Sequence, residues 1–171
     1  MIKILSKISD YFHQFEKFFL ITATSLMILI IFFDFLLREI TGSGFVWAKE
    51  LSAFLMIWVG FIGASYATRE NKHLVVGIPE KLFPKRILPY VSLFVNLIVF
   101  IVTIFLAYLG FIYVQETKEI GETSLLLNIP LWIVQIIIPI SLVIISIRFI
   151  SLAILILQGK VTSIGAGAKQ G

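Results

Sequence analysis

Cysteine is absent from the 171 residues, which excludes disulfides, thiol catalysis and cysteine-ligated metal and says nothing of compartment. Charge is scarce as well, with Asp, Glu, Lys and Arg at 14% of the chain, against about one-quarter in a soluble domain. The two histidines, His13 and His73, both lie outside the apolar runs, which disfavours a membrane haem protein with histidine ligands inside its helices. There is no Walker loop, no HExxH, no GxSxG and no pair of acids within an apolar run, so neither an enzyme nor a resident cofactor or metal is expected. What is abundant is apolar surface. Hydrophobic residues make up 59% of the chain and mean hydropathy is +1.03, the composition of an integral membrane protein.

The apolar residues fall into four runs long enough to cross a hydrocarbon core of about 30 Å only as helices. The spans read as 18–37, 47–68, 90–114 and 129–157, giving an all-α transmembrane domain over 18–157. Residues 1–17 carry Ile2, Leu5, Ile8, Phe12 and Phe15 at helical steps with Lys3, Lys7, Asp10 and Lys17 elsewhere. That pattern predicts an amphipathic helix lying on the membrane surface, and the long apolar run that follows argues against a cleaved signal peptide. The loop 69–89 holds Pro79, Pro84 and Pro89 among basic residues. It predicts a short interfacial helix starting at Pro79. The tail 158–171 is small and polar and is expected to be flexible. Pro139 is expected to kink the fourth span, since it removes one backbone bond and crowds the preceding turn.

Orientation follows from the basic residues. The N-terminal segment, the loop 69–89 and the tail hold ten of them, whereas Arg38, Lys49 and Lys118 are the three on the opposite side. Both termini are therefore expected in the cytoplasm. Asp34 lies one turn before Arg38 and predicts a boundary ion pair, with a proton- or ion-carrying role as the alternative. Arg148, the one charge in the fourth span, is expected either to snorkel to water or to bind a lipid phosphate. His73 reads as an interfacial residue rather than a pH switch. The aromatic residues read as lipid-facing surface and belts.

The second span is the most informative. Trp47 and Trp58 are close to three turns apart and share one side, while Ala53, Gly60, Ala64 and Ala67 form a small-residue stripe on roughly the opposite side. Such a stripe lets another helix approach closely. Either face is expected to pack on a larger partner or a neighbouring span. Arg38, Trp47 and Glu50 are expected to form a polar cluster at the boundary that fixes the first hairpin or contacts a partner.

The order of features resembles the small (DctQ-type) membrane subunit of tripartite ATP-independent periplasmic, or TRAP, transporters. The residues that carry the likeness are Arg38, then Trp47-Ala48-Lys49-Glu50 for a W-x-E-E motif, then Trp58-Val59-Gly60-Phe61-Ile62-Gly63-Ala64. Arg69-Glu70 and His73-Leu74-Val75-Val76-Gly77 follow. Thr123-Ser124, Ile129-Pro130-Leu131-Trp132, Pro139 and Arg148 continue it. Lys49 stands where the motif has its first acid, and Gly77 where the family often has aspartate. The resemblance implies a bacterial inner-membrane subunit without transport chemistry of its own. It implies a large membrane subunit as partner, carrying substrate and sodium sites and moving as an elevator. A periplasmic binding protein would deliver an organic acid, of dicarboxylate or sialic acid type. Membrane lipids are the remaining partners, and nucleic acid is not expected. The rival classes are a self-sufficient four-helix transporter acting as a homodimer and a membrane assembly factor.

Overall fold

A computed structural model describes residues 2–70 and 87–158. The helices are α1 (Ile2–Thr41), α2 (Ala48–Glu70), α3 (Leu88–Ile120), α4 (Leu131–Gln135) and α5 (Ile137–Leu157). Four stretches are long and apolar enough to cross a membrane: His13–Thr41, Ala48–Thr68, Pro89–Ile120 and Leu131–Leu157. The four-span reading is thus met. Helix α1 runs without interruption across positions 17 and 18, so the segment expected over 1–17 is continuous with the helix that holds the first span-length stretch, which begins at His13. His73 and the expected interfacial helix in loop 69–89 lie outside the described residues.

Local chemistry sets the helix ends. α1 stops at Gly42, whose φ of +76° lies in the left-handed region that costs glycine least. α3 continues to Ile120, past the expected end at 114, because Glu116, Lys118 and Glu119 favour helix. Gly121, at φ +73°, then closes it, donating its N–H to the Thr117 carbonyl. The fourth span is interrupted at Ile136, one turn before Pro139. Proline supplies no N–H for the carbonyl of Gln135 and its ring crowds that turn, so the span divides into α4 and α5, although Ile136 itself keeps helical dihedrals.

Backbone packing joins α1 to α2, α2 to α5 and α5 to α3, and the helices form a row in that order. Burial follows the row. α1 buries or half-buries one seam, Glu16, Leu20, Ala23, Met27, Ile30, Asp34 and Leu37, at alternating steps of four and three residues. This is the spacing of a shallow left-handed helix crossing. α3 likewise presents one seam, which includes Ser92, Asn96, Thr103, Ala107, Gly110, Val114 and Thr117. Its small and polar side chains let α5 approach, and Gly110 faces Pro139. Asn96, fully buried, donates to the Ser92 carbonyl at 2.7 Å. α2 and α5 are the inner pair. Even so, only 11–28% of each span's most apolar window is covered by the rest of the chain, which leaves most apolar side chains facing outward.

Candidate functional site

Three polar or open features stand out on this row. The first ties α1, α2 and α5 together at one end. Arg148 of α5 donates to both carboxylate oxygens of Glu16, at 3.0 and 2.9 Å, and to the backbone carbonyl of Ser65. The Ser65 hydroxyl donates to Glu16 Oε1 at 2.9 Å. Glu16 is 3% exposed and Ser65 1%, so Arg148 Nη2, shared between the two carboxylate oxygens, and Nη1, on the Ser65 carbonyl, are met away from water. His13 stacks on Tyr66 beside them, rings 4.6 Å apart and nearly parallel. Arg148 was expected to snorkel or hold a lipid phosphate. Instead it turns inward, because a carboxylate on the α1 seam offers a bidentate partner that interfacial water cannot better.

The second feature lies at the other end. Glu50, in the first turn of α2, accepts three backbone N–H groups, from Leu125 at 3.0 Å, Leu126 at 3.1 Å and Leu127 at 2.8 Å. The loop between α3 and α4 is pre-shaped to present them. Thr123 and Pro130 pair across an antiparallel bridge. Ser124 N–H donates to the Ile129 carbonyl at 2.9 Å, and the Ser124 hydroxyl accepts from Ile129 N–H at 3.1 Å. Asn128 takes the left-handed conformation at φ +50°. The Thr123-Ser124 and Ile129-Pro130 motifs are therefore two sides of one closed loop. Lys118 Nζ sits 5.2 Å from the Trp132 ring centroid, a cation–π contact over the same end.

The boundary pair expected at the end of α1 is present, with Arg38 donating to Asp34 Oδ2 at 2.8 Å. Arg38, Trp47 and Glu50 do not share one set of contacts. Arg38 goes to Asp34, Glu50 to the distant loop, and Trp47 to Phe45, with ring centroids 5.3 Å apart. Gly44 is packed onto the Asp34–Arg38 pair so closely that a Cβ there would overlap Asp34 Oδ1. Gly44→Ala is therefore expected to displace the pair and cost about 1–3 kcal/mol, read as a lower unfolding midpoint of the chain in detergent. Gly42→Ala would encounter no neighbour and should cost only its backbone strain, about 1 kcal/mol.

The third feature is the outward flank of α2. Trp58 faces inward, its indole N–H donating to the Val134 carbonyl at 3.1 Å and its ring 5.9 Å from Phe19. Ala53, Met56, Gly60 and Ala64 face outward, and a Cβ at Gly60 would meet nothing within 4 Å. Trp58 thus packs on neighbouring spans while Trp47 is exposed, and Ala53, Gly60 and Ala64 of the expected stripe are open while Ala67 is half-buried. Gly63 belongs to the α1 seam instead, where a Cβ would lie 3.7 Å from Leu20. Arg69 lies in the last turn of α2.

Residues 27–159, more than half of the chain, match the family described as tripartite ATP-independent periplasmic transporters, DctQ component. The chain belongs to this DctQ family. It is 27% identical over 123 residues to a putative TRAP transporter small permease protein of Haemophilus influenzae, covering 69% of this chain and 74% of that one. It is 31% identical over 121 residues to the C4-dicarboxylate TRAP transporter small permease protein of Rhodobacter capsulatus, covering 69% of this chain and 52% of the relative. A 72-residue stretch, 42% of this chain, is 32% identical to the sialic acid TRAP transporter permease protein of Haemophilus influenzae, of which it spans 12%. The chain thus spans about half, or far less, of several curated relatives it matches. As a DctQ-family member it is a multi-pass membrane component of a transporter and not an enzyme. Ser65, Arg148, Glu50 and the α3–α4 loop all lie inside the matched segment, whereas Glu16 precedes it.

Proposed function

We propose that this DctQ-family chain is the fixed brace of a sodium-coupled TRAP importer, packed against a large membrane subunit that carries the substrate and ion sites. The observation that carries this reading is the open row. Its helices are pinned at both ends, yet most of their surface is unmet by the chain itself, and the small-residue flank of α2 is cleared for another helix. A helix in lipid gains little from apolar contact alone, so close backbone approach at Ala53, Gly60 and Ala64 is what would select a protein neighbour over lipid.

In this reading both termini are cytoplasmic, which places Glu50 and the 121–130 loop on the periplasmic side of a bacterial inner membrane. A substrate-binding protein would arrive there. The cargo is an organic acid, since two of the relatives named above are described as sialic acid and C4-dicarboxylate TRAP transporter proteins. The ten-to-three division of basic residues supports the orientation.

Gly60→Leu tests the brace directly. The added side chain enters open space within this chain, so the chain's own fold should persist. Co-purification with the large subunit should fall about tenfold, the effect of overpacking a close helix seam. Undiminished co-purification would remove α2's open flank from the interface. Solute uptake by the purified chain reconstituted alone would overturn the brace altogether.

A further inference from the structure

The loop between α3 and α4 carries two leucines that nothing among the described residues covers. Leu125 is 92% exposed and Leu126 48%. The backbone beneath them is nevertheless fixed. Their amides and that of Leu127 are fastened to Glu50, and Thr123 pairs with Pro130 across the loop. Leu131 N–H also donates to the Glu122 carbonyl at 3.0 Å. An apolar tip whose backbone is held before anything binds removes an ordering cost from any association made there.

Height sets the tip apart from the spans. The apolar run of α3 ends at Val114, and Gln115, Glu116, Lys118 and Glu119 follow within the same helix. The six residues from Val114 to Ile120 rise about 9 Å, so the loop starts well past the end of that run. Charge narrows the choice further. Residues 115–130 hold Glu116, Glu119 and Glu122 against Lys118 alone, three negative charges to one positive. All three glutamates are exposed, while Lys118 is engaged over the Trp132 ring. Lipid surfaces of negative charge attract basic segments and repel an acidic one. Exposed leucines flanked by carboxylates suit instead a protein whose own patch is apolar and edged with Lys and Arg.

We propose that Leu125 and Leu126 form the anchor on which a water-soluble protein docks, its facing surface an apolar recess edged with basic side chains. In the reading above, on which this rests, that protein is the substrate-binding protein of the same transporter. The leucines supply the apolar contact. Glu119 and Glu122 speed the encounter and make it sensitive to salt.

The test uses the full-length chain reconstituted with its large subunit in proteoliposomes, with the transporter's own binding protein added outside. A benzophenone amino acid in place of Leu125 should crosslink to the binding protein on illumination, and unmodified complex should compete the crosslink away. Leu125→Ser, at so exposed a position, should leave the chain folded. It should raise the binding-protein concentration for half-maximal uptake about tenfold, toward the lower end of what one buried leucine contributes. Maximal uptake should hold. Glu119→Gln combined with Glu122→Gln should raise that concentration several-fold at low salt and flatten its rise with ionic strength. Crosslinks to lipid or to the large subunit alone, or half-saturation unmoved by Leu125→Ser, would overturn the docking tip. Uptake that still depended on the binding protein would then leave the brace reading standing. Uptake that needs no binding protein would overturn this docking tip together with the delivery step of that reading.

Discussion

Replacing Arg148 with methionine while Glu16 remains is expected to destabilise the chain by about 3 kcal/mol, toward the lower end of the cost of stranding one member of a buried ion pair. The reason lies in what is left behind. Among the described residues Glu16 would keep only the Ser65 hydroxyl, and the Ser65 carbonyl would lose its guanidinium donor. A carboxylate 3% exposed cannot recover that loss from water. The membrane context lowers the figure somewhat, because an unfolded helix in a micelle also finds partners for its polar groups. Glu16→Gln should cost less, since the amide still accepts one bond from the guanidinium. The double variant Glu16→Met with Arg148→Met should regain much of the loss, because no charge is then stranded. The measurement is equilibrium unfolding in mixed micelles by a denaturing detergent, with all four members of the cycle compared. If Arg148→Met unfolded within about 0.5 kcal/mol of the parent, the pair would be an ornament of the boundary and not a pin.

Glu50→Ala should act locally and at the opposite end. Three N–H groups, of Leu125, Leu126 and Leu127, share this one carboxylate. Leu125 and Leu126 are exposed enough for water to replace part of the loss, so the net cost is set near that of one charge-assisted bond, about 2 kcal/mol. Hydrogen exchange should read this as an about 30-fold loss of protection at those amides. Protection across the middle of α3 and α5 should hold. Glu50→Gln should fall between, since its amide offers one acceptor where the carboxylate offers two. Unchanged exchange in the loop would mean that the Thr123–Pro130 bridge and the Ser124 contacts hold its shape unaided.

The four spans were legible in the sequence because lipid leaves a chain no other way to satisfy its backbone, so length and apolarity alone identify them. The Asp34–Arg38 pair was legible for a similar reason, being four residues apart on one helix. On α2 helical periodicity did set Trp58 apart from Ala53, Gly60 and Ala64, the first turned inward and the others exposed. The partners of Glu50 and Arg148 were not legible. Those of Glu50 lie 75 to 77 positions away and those of Arg148 lie 83 and 132, and no local rule links such distances. Glu16 did carry a signal. It falls on the same three-and-four series as Leu20, Ala23 and Met27, and a helix boundary placed at 17 cut it off from that series. The order of the row was hidden for another reason. Hydropathy does not track it: the two inner spans, with mean hydropathy 1.6 and 2.7, are the least apolar and one of the two most apolar of the four, so their greater burial comes from their neighbours.

The two polar clasps on α1 lie 18 residues apart, Glu16 at one and Asp34 at the other, which is about 27 Å of helix rise. Because Glu16 is clamped to α2 and α5, and Gly44 holds the turn against Asp34, that height is built into the protein and not left to each helix's tilt. Tied in this way, α1, α2 and α5 would tilt together in a bilayer and not each on its own.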